Sequence, residues 1–208
     1  MNAYANRTKK TEILNAASSV FLEQGYERAS MESVAKRAGC SKATLYNYFP
    51  SKESLFEAVV RTFSTIFLTH AANELHCVKN ETLSLAEKLQ RFGEGMLGAM
   101  TSDWKALQLY RMVLGEAGHS SIGELFYQSG VRESMNALTN VMERYTENGE
   151  LSPGNSALRA RQFSALVKAE ADELFLKREM PVYSSSDVTT MVESAVQVFL
   201  NGTRHSSV

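Results

Sequence analysis

The chain has 208 residues, 44% of them hydrophobic and 22% charged, with a net charge of −1. That length allows one or two domains with a real core, and the bulk charge points to no polyanionic partner. Only two cysteines occur, Cys40 and Cys77, which excludes a disulfide framework and fits a reducing compartment. No apolar run near the N-terminus could act as a signal sequence. The longest uncharged segment, residues 62–73, is too short to span a bilayer, so a soluble cytoplasmic protein with no membrane association is expected.

Charge distribution adds little: residues 1–60 carry +2 and the remainder −3, which permits DNA binding without requiring it. The first predicted helix runs from Thr8 or Thr11 to Gln24, with Ile13, Leu14, Ala17, Val20 and Phe21 on one apolar stripe. Gly25 ends it, and Tyr26 packs under the next helix. Met31, Val34, Ala35 and Ala38 fall at i, i+3, i+4 and i+7, one face of a short second helix that Ser30 caps, leaving its first N–H groups for phosphates. Gly39 can take the left-handed conformation that closes it. Ser41 then caps a third helix, Lys42 to Tyr48, whose Leu45 and Phe49 point into a core before Pro50 stops it and Ser51 caps a fourth.

Two short helices around a glycine turn make a helix-turn-helix, whose second helix enters the major groove. The candidate DNA-binding set is Ser30, Ser41, Lys42, Ala43, Thr44, Tyr46, Asn47, Tyr48 and Lys52. Lys42 and Lys52 suit phosphates, Thr44 a phosphate or a base edge, Tyr46 and Tyr48 offer ring and hydroxyl together, and Asn47 suits adenine. The same spacing also fits an αα-hairpin of an ordinary bundle with its tyrosines half-buried.

More than spacing speaks for the first of these. Ile13, Ala16, Ala17 and Phe21, Gly25-Tyr26, Ser30 to Ser41, Thr44 to Phe49 and Ser51 to Leu55 follow in order without gaps. This string resembles the DNA-binding domain of the TetR/AcrR family of bacterial transcriptional regulators. Cys40 departs from it, standing where the family more often has an aliphatic residue. The resemblance implies an N-terminal arm, here Arg7, Lys9 and Lys10, that reaches phosphates; read alone, these residues fit a solvated tail equally well.

Beyond Leu55 the pattern lengthens. Phe56, Val59, Val60, Phe63, Ile66 and Phe67 continue one helix towards Leu75, and periodicity lapses over residues 76–81. In the family this helix connects the head to a ligand-responsive body. Further helices are predicted over 82–100, 103–115, 121–128, 131–147, 156–177 and 187–200, with turns at Gly130, Asn148-Gly149 and Ser152-Pro153-Gly154 among others. No strand is predicted. The fold class is therefore all-α: an N-terminal three-helix helix-turn-helix domain over 1–54 and a C-terminal helical bundle for ligand binding and dimerisation over 55–208.

The last helix pair carries the cleanest stripes, from which Phe163, Val167, Phe175, Val188, Val192, Val196 and Phe199 are taken as a candidate dimer interface. Such stripes could equally cover the monomer's own core. Resemblance favours the homodimer, because TetR-like regulators bind two half-sites of a near-palindromic operator, and one head alone buries too little surface for a tight specific complex. A small-molecule pocket is expected among Phe63, Phe67, Met96, Met100, Trp104, Tyr110, Arg111, Phe126, Tyr127 and Met135, residues that could instead be ordinary core. The segments R-M-V-L-G-E-A and F-Y-Q-S-G resemble the AefR-like branch of the family, which does not fix the ligand.

Nothing predicts an enzyme: there is no Gly-rich phosphate loop, no H-E-x-x-H and no G-x-S-x-G. His70, His76 and Cys77 come nearest to a metal set but lack a closed ligand spacing, so no metal and no cofactor is expected. The unknowns are the inducer, the operator and the sign of regulation.

Overall fold

The computed structural model describes residues 3–76, 82–179 and 181–204, apart from the side chains of 3–6, 63–70 and 76. In chain order the helices are α1 (Ala3–Arg28), α2 (Met31–Arg37), α3 (Lys42–Tyr48), α4 (Lys52–His76), α5 (Leu85–Ser102), α6 (Trp104–Glu116), α7 (Ile122–Phe126), α8 (Arg132–Glu147), α9 (Ser156–Ala169), α10 (Glu173–Leu176) and α11 (Ser185–Thr203). The described residues hold no strand, only an isolated bridge between Leu151 and Arg204. The expected all-α class is what the protein adopts. No helix among them is long and apolar enough to cross a membrane.

Two compact units emerge, Met1–Ser64 with Gln108–Phe126 and Thr65–Leu107 with Tyr127–Val208. In the first, Ile13, Ala17, Val20 and Phe21 of α1 are buried. Helical geometry breaks at Gly25 (φ 77, ψ 159), where a side chain would be strained, so Tyr26 can turn back. The Tyr26 ring packs 4.7 Å from that of Phe56, and Phe21 meets Phe56 edge-on at 4.8 Å. Leu55, Phe56, Val59 and Val60 of α4 are fully buried here, and Leu109, Val113 and Ile122 join the same cluster. A cut after residue 54 would part α4 from the side chains it packs against.

In the second unit α5, α8, α9 and α11 enclose a separate core. Phe163 lies between Phe92 and Phe199, at 6.3 and 5.3 Å between ring centres. Helices α5 and α11 approach so closely at Gly93 that a Cβ there would come within 2.5 Å of Val192 Cγ1. Two expectations fail locally. The helix predicted over 156–177 breaks into α9 and α10 across residues 170–172, where amides bond three residues back instead of four. Asp172 and Glu173 stand at the start of α10, where carboxylates suit the partial positive charge of a helix N-terminus and favour a restart. The turn predicted at Gly130 is instead a π-helical turn, Tyr127–Val131, that leads straight into α8 with Gly130 buried.

Candidate nucleic-acid interface

The turn between α2 and α3 is held by backbone bonds that only glycine permits cheaply. Gly39 takes φ 58, which lets its own N–H reach Lys36 O at 3.3 Å and Cys40 N–H reach Ala35 O at 3.0 Å. This double bond is a Schellman closure of α2. One residue later the Ser41 hydroxyl oxygen accepts Thr44 N–H at 3.0 Å and starts α3. Ser30 does the same for α2, accepting Ser33 N–H at 3.1 Å. Both serines therefore serve as caps, as the spacing predicts.

Helix α3 has two sides with separate tasks. Leu45 is fully buried and Phe49 nearly so; truncating Leu45 to alanine would cost about 2–5 kcal/mol and free the helix from the head. On the opposite side Lys42, Ala43, Tyr46 and Asn47 are all exposed, at i, i+1, i+4 and i+5, one continuous face. Seven residues make a rod about 10 Å long and about 10–12 Å across with its side chains, which matches a major groove about 12 Å wide. Thr44 and Tyr48 are half-buried at the margins, and Thr44 Oγ1 lies 2.8 Å from Ser41 Oγ.

The cations around this face are mostly engaged inside the unit. Arg37 grips Glu23 with both terminal nitrogens, at 2.8 and 2.6 Å, and this hydrogen bonding holds the Glu23 carboxyl below its usual range. Lys42 Nζ lies 3.0 Å from Glu32 Oε2. Lys9, expected on an N-terminal arm or a solvated tail, stands on α1, which already begins at Ala3; it donates to Glu12 at 2.9 Å and Ala38 O at 3.2 Å. Its pKa is raised chiefly by the bond to Glu12. Lys10 lies 5.8 Å above the Phe49 ring. Lys52, expected at phosphates, has inner partners: Nζ donates to Tyr26 O at 2.9 Å and Glu27 O at 3.1 Å, and covers the Tyr26 ring at 4.5 Å. It clamps the end of α1, where a cation complements the carbonyls of a helix end.

The other candidate sets divide differently. Phe163, Val167, Val188, Val192, Val196 and Phe199 are buried in the second unit's own core, with Phe175 packed against it. A side chain enclosed by its own chain offers nothing to a second subunit, so the stripe chosen for the dimer is the core face. The large exposed apolar side chains of α9 and α11 are Leu158 and Val198, at 44% and 57% exposure. Of the pocket candidates, Tyr110, Arg111 and Phe126 belong to the first unit and Met96, Met100, Trp104, Tyr127 and Met135 to the second; the Phe63 and Phe67 side chains lie outside those described. Tyr110 and Phe126 meet at 5.3 Å, and burial raises the Tyr110 phenol pKa. Met96 and Met100 are buried, whereas Trp104 and Tyr127 are 40% and 45% exposed. A groove of about 420 Å³ between α5 and α11 is lined by Ala86, Glu87, Gln90, Arg91, Glu94, Glu193, Val196 and Gln197, none of them a pocket candidate. The His70 and His76 side chains and all of Cys77 fall outside the description.

Similarity to known proteins follows this geometry. Residues 13–59 match the model of bacterial regulatory proteins of the tetR family, and residues 87–202 match the C-terminal domain of AefR-like transcriptional repressors. The regulator UidR of Escherichia coli is 45% identical over 51 residues, 24% of this chain and 26% of UidR; that likeness spans only a quarter of the relative's length. The transcriptional activator FasR of Mycolicibacterium smegmatis is 25% identical across 95% of this chain and 84% of its own. Among solved structures, a TetR-family regulator of Mesorhizobium loti superposes with a TM-score of 0.81 at 23% identity, covering 99% of this chain and 100% of that one. The flavonoid-responsive regulator FrrA does so with 0.72 at 28% identity, covering 96% and 99%. With one family model over the head and another over more than half of the chain, the protein belongs to the TetR family of bacterial transcriptional regulators.

Proposed function

We propose that the protein is a homodimeric TetR-type repressor that leaves a near-palindromic operator when a small molecule binds its C-terminal helical region. One observation carries the DNA-binding part: α3 is anchored by buried Leu45 and Phe49 while Lys42, Ala43, Tyr46 and Asn47 face outward together. In this reading Lys42 and the hydroxyls of Ser30 and Ser41 meet phosphates, and Ala43, Thr44, Tyr46 and Asn47 meet base edges, with Tyr48 at the margin. Lys52 gives two of its three protons to backbone carbonyls and keeps one for a phosphate at the edge of the face. The dimer would use the outward surfaces of α9 and α11, around Leu158 and Val198, since their inward surfaces are filled. Response to a ligand is supported by the likeness to FrrA, named for its response to flavonoids. Ligand binding would favour a conformer whose two recognition helices are wrongly spaced for successive major grooves. A mobility-shift assay with the DNA upstream of the protein's own gene tests this: a retarded species that disappears on adding a flavonoid or another lipophilic effector is expected. No retarded species at low salt would refute the reading.

Activation is the second reading, favoured by FasR, an activator alike over nearly the whole chain. A reporter fused to the bound promoter decides: deletion of the regulator raises expression for a repressor and lowers it for an activator.

A further inference from the structure

Glu32 stands beside the proposed interface without a part in it. It occupies the first turn of α2, and its Oε2 lies 3.0 Å from Lys42 Nζ on α3, with both side chains more than half exposed. We propose that Glu32 is a built-in rival of the DNA backbone: its carboxylate occupies the Lys42 ammonium in the free protein, and binding must exchange it for a phosphate. This rests on the DNA-binding reading above. An exposed pair is held weakly, so the exchange is easy. The displaced carboxylate nevertheless stays within a Debye length of the polyanion, and its repulsion persists in the complex. The consequence is a restraint on affinity for every sequence, which keeps the regulator from being absorbed by non-specific DNA. It also accounts for a DNA-binding head with so little net charge: Glu32 and Glu23 each offset a cation, but Arg37 with Glu23 forms a two-pronged tie between α1 and α2, whereas the Glu32 pair is single and sits on the exposed residue that opens α3.

A purely structural pair, bracing α2 against α3, predicts the opposite sign, because its loss would loosen the head and weaken binding. The test uses the full-length protein and a labelled 20-base-pair duplex of arbitrary sequence, with anisotropy followed against salt. For E32Q, binding about three- to tenfold tighter near 50 mM salt and a salt slope steeper by about one are expected. The gain should shrink when Lys42 is replaced as well (K42M), because only the carboxylate's own repulsion of DNA is then left to relieve, and E147Q, an equal charge change on α8, should give less. Thermal melts check that each variant folds. Unchanged or weaker binding by E32Q overturns the proposal, as does a gain that is undiminished with K42M or is matched by E147Q. If the unaltered protein binds no duplex at low salt, the DNA-binding reading fails first and this proposal with it.

Discussion

Leu45 and Asn47 are two residues apart on α3 and point in opposite directions, one into the core and one to solvent. That division was readable from the sequence, because i, i+4 spacing of Leu45 and Phe49 fixes which side is inward. The inner partners of Lys52 were not readable, because its acceptors Tyr26 O and Glu27 O come to it only after the chain reverses at Gly25. Ser134 was equally silent: a lone serine on a helix carries no pattern. Its hydroxyl is buried, with no hydrogen-bond partner among the described residues, and such a group costs about 1–3 kcal/mol. Ser134→Ala should therefore leave the melting temperature unchanged or higher, provided no water or ligand serves the hydroxyl. A loss above about 1 kcal/mol in a denaturant titration would mean that the hydroxyl has a partner in solution.

At the level of elements, caps and glycine closures were legible and breaks without them were not. Ser30, Gly39, Ser41 and Ser51 fixed the boundaries of α2 to α4, whereas the interruption after Ala169 has neither Gly nor Pro to announce it. The π-helical turn at Tyr127–Val131 was misread because Gly130 also suits a turn. Helix α11 starts with a reciprocal box: Ser184 Oγ accepts Asp187 N–H at 3.1 Å and Asp187 Oδ2 accepts Ser184 N–H at 2.7 Å. The backbone bond first, and the hydroxyl second, hold the Asp187 carboxyl below its usual range. A depressed carboxylate contributes stability above its unfolded pKa, about 4, and loses it as pH falls through the folded value. The gap in melting temperature between the parent and Asp187→Asn should thus narrow from pH 7 to below about pH 4. A gap constant over that range would show that the carboxylate's charge is irrelevant to the cap.

For the whole molecule, period-3.6 stripes told which faces are buried but not by what. The stripes of α9 and α11 look the same whether they meet a partner or their own α5 and α8, and here the chain itself fills them. The dimer proposed above therefore takes the outward surfaces of these helices, around Leu158 and Val198. The double variant Leu158→Arg with Val198→Arg should shift light-scattering mass from dimer to monomer without unfolding the protein. A variant that remains dimeric would move the interface elsewhere. The claim on which the regulator reading stands is that the outward face of α3 reads bases. It is tested most directly by anisotropy titrations of the parent and Asn47→Ala against the upstream fragment and against a scrambled duplex. The account predicts a loss of about 1–3 kcal/mol on the upstream fragment alone, with scrambled DNA bound as before. Equal weakening on both, or no change on either, would contradict it.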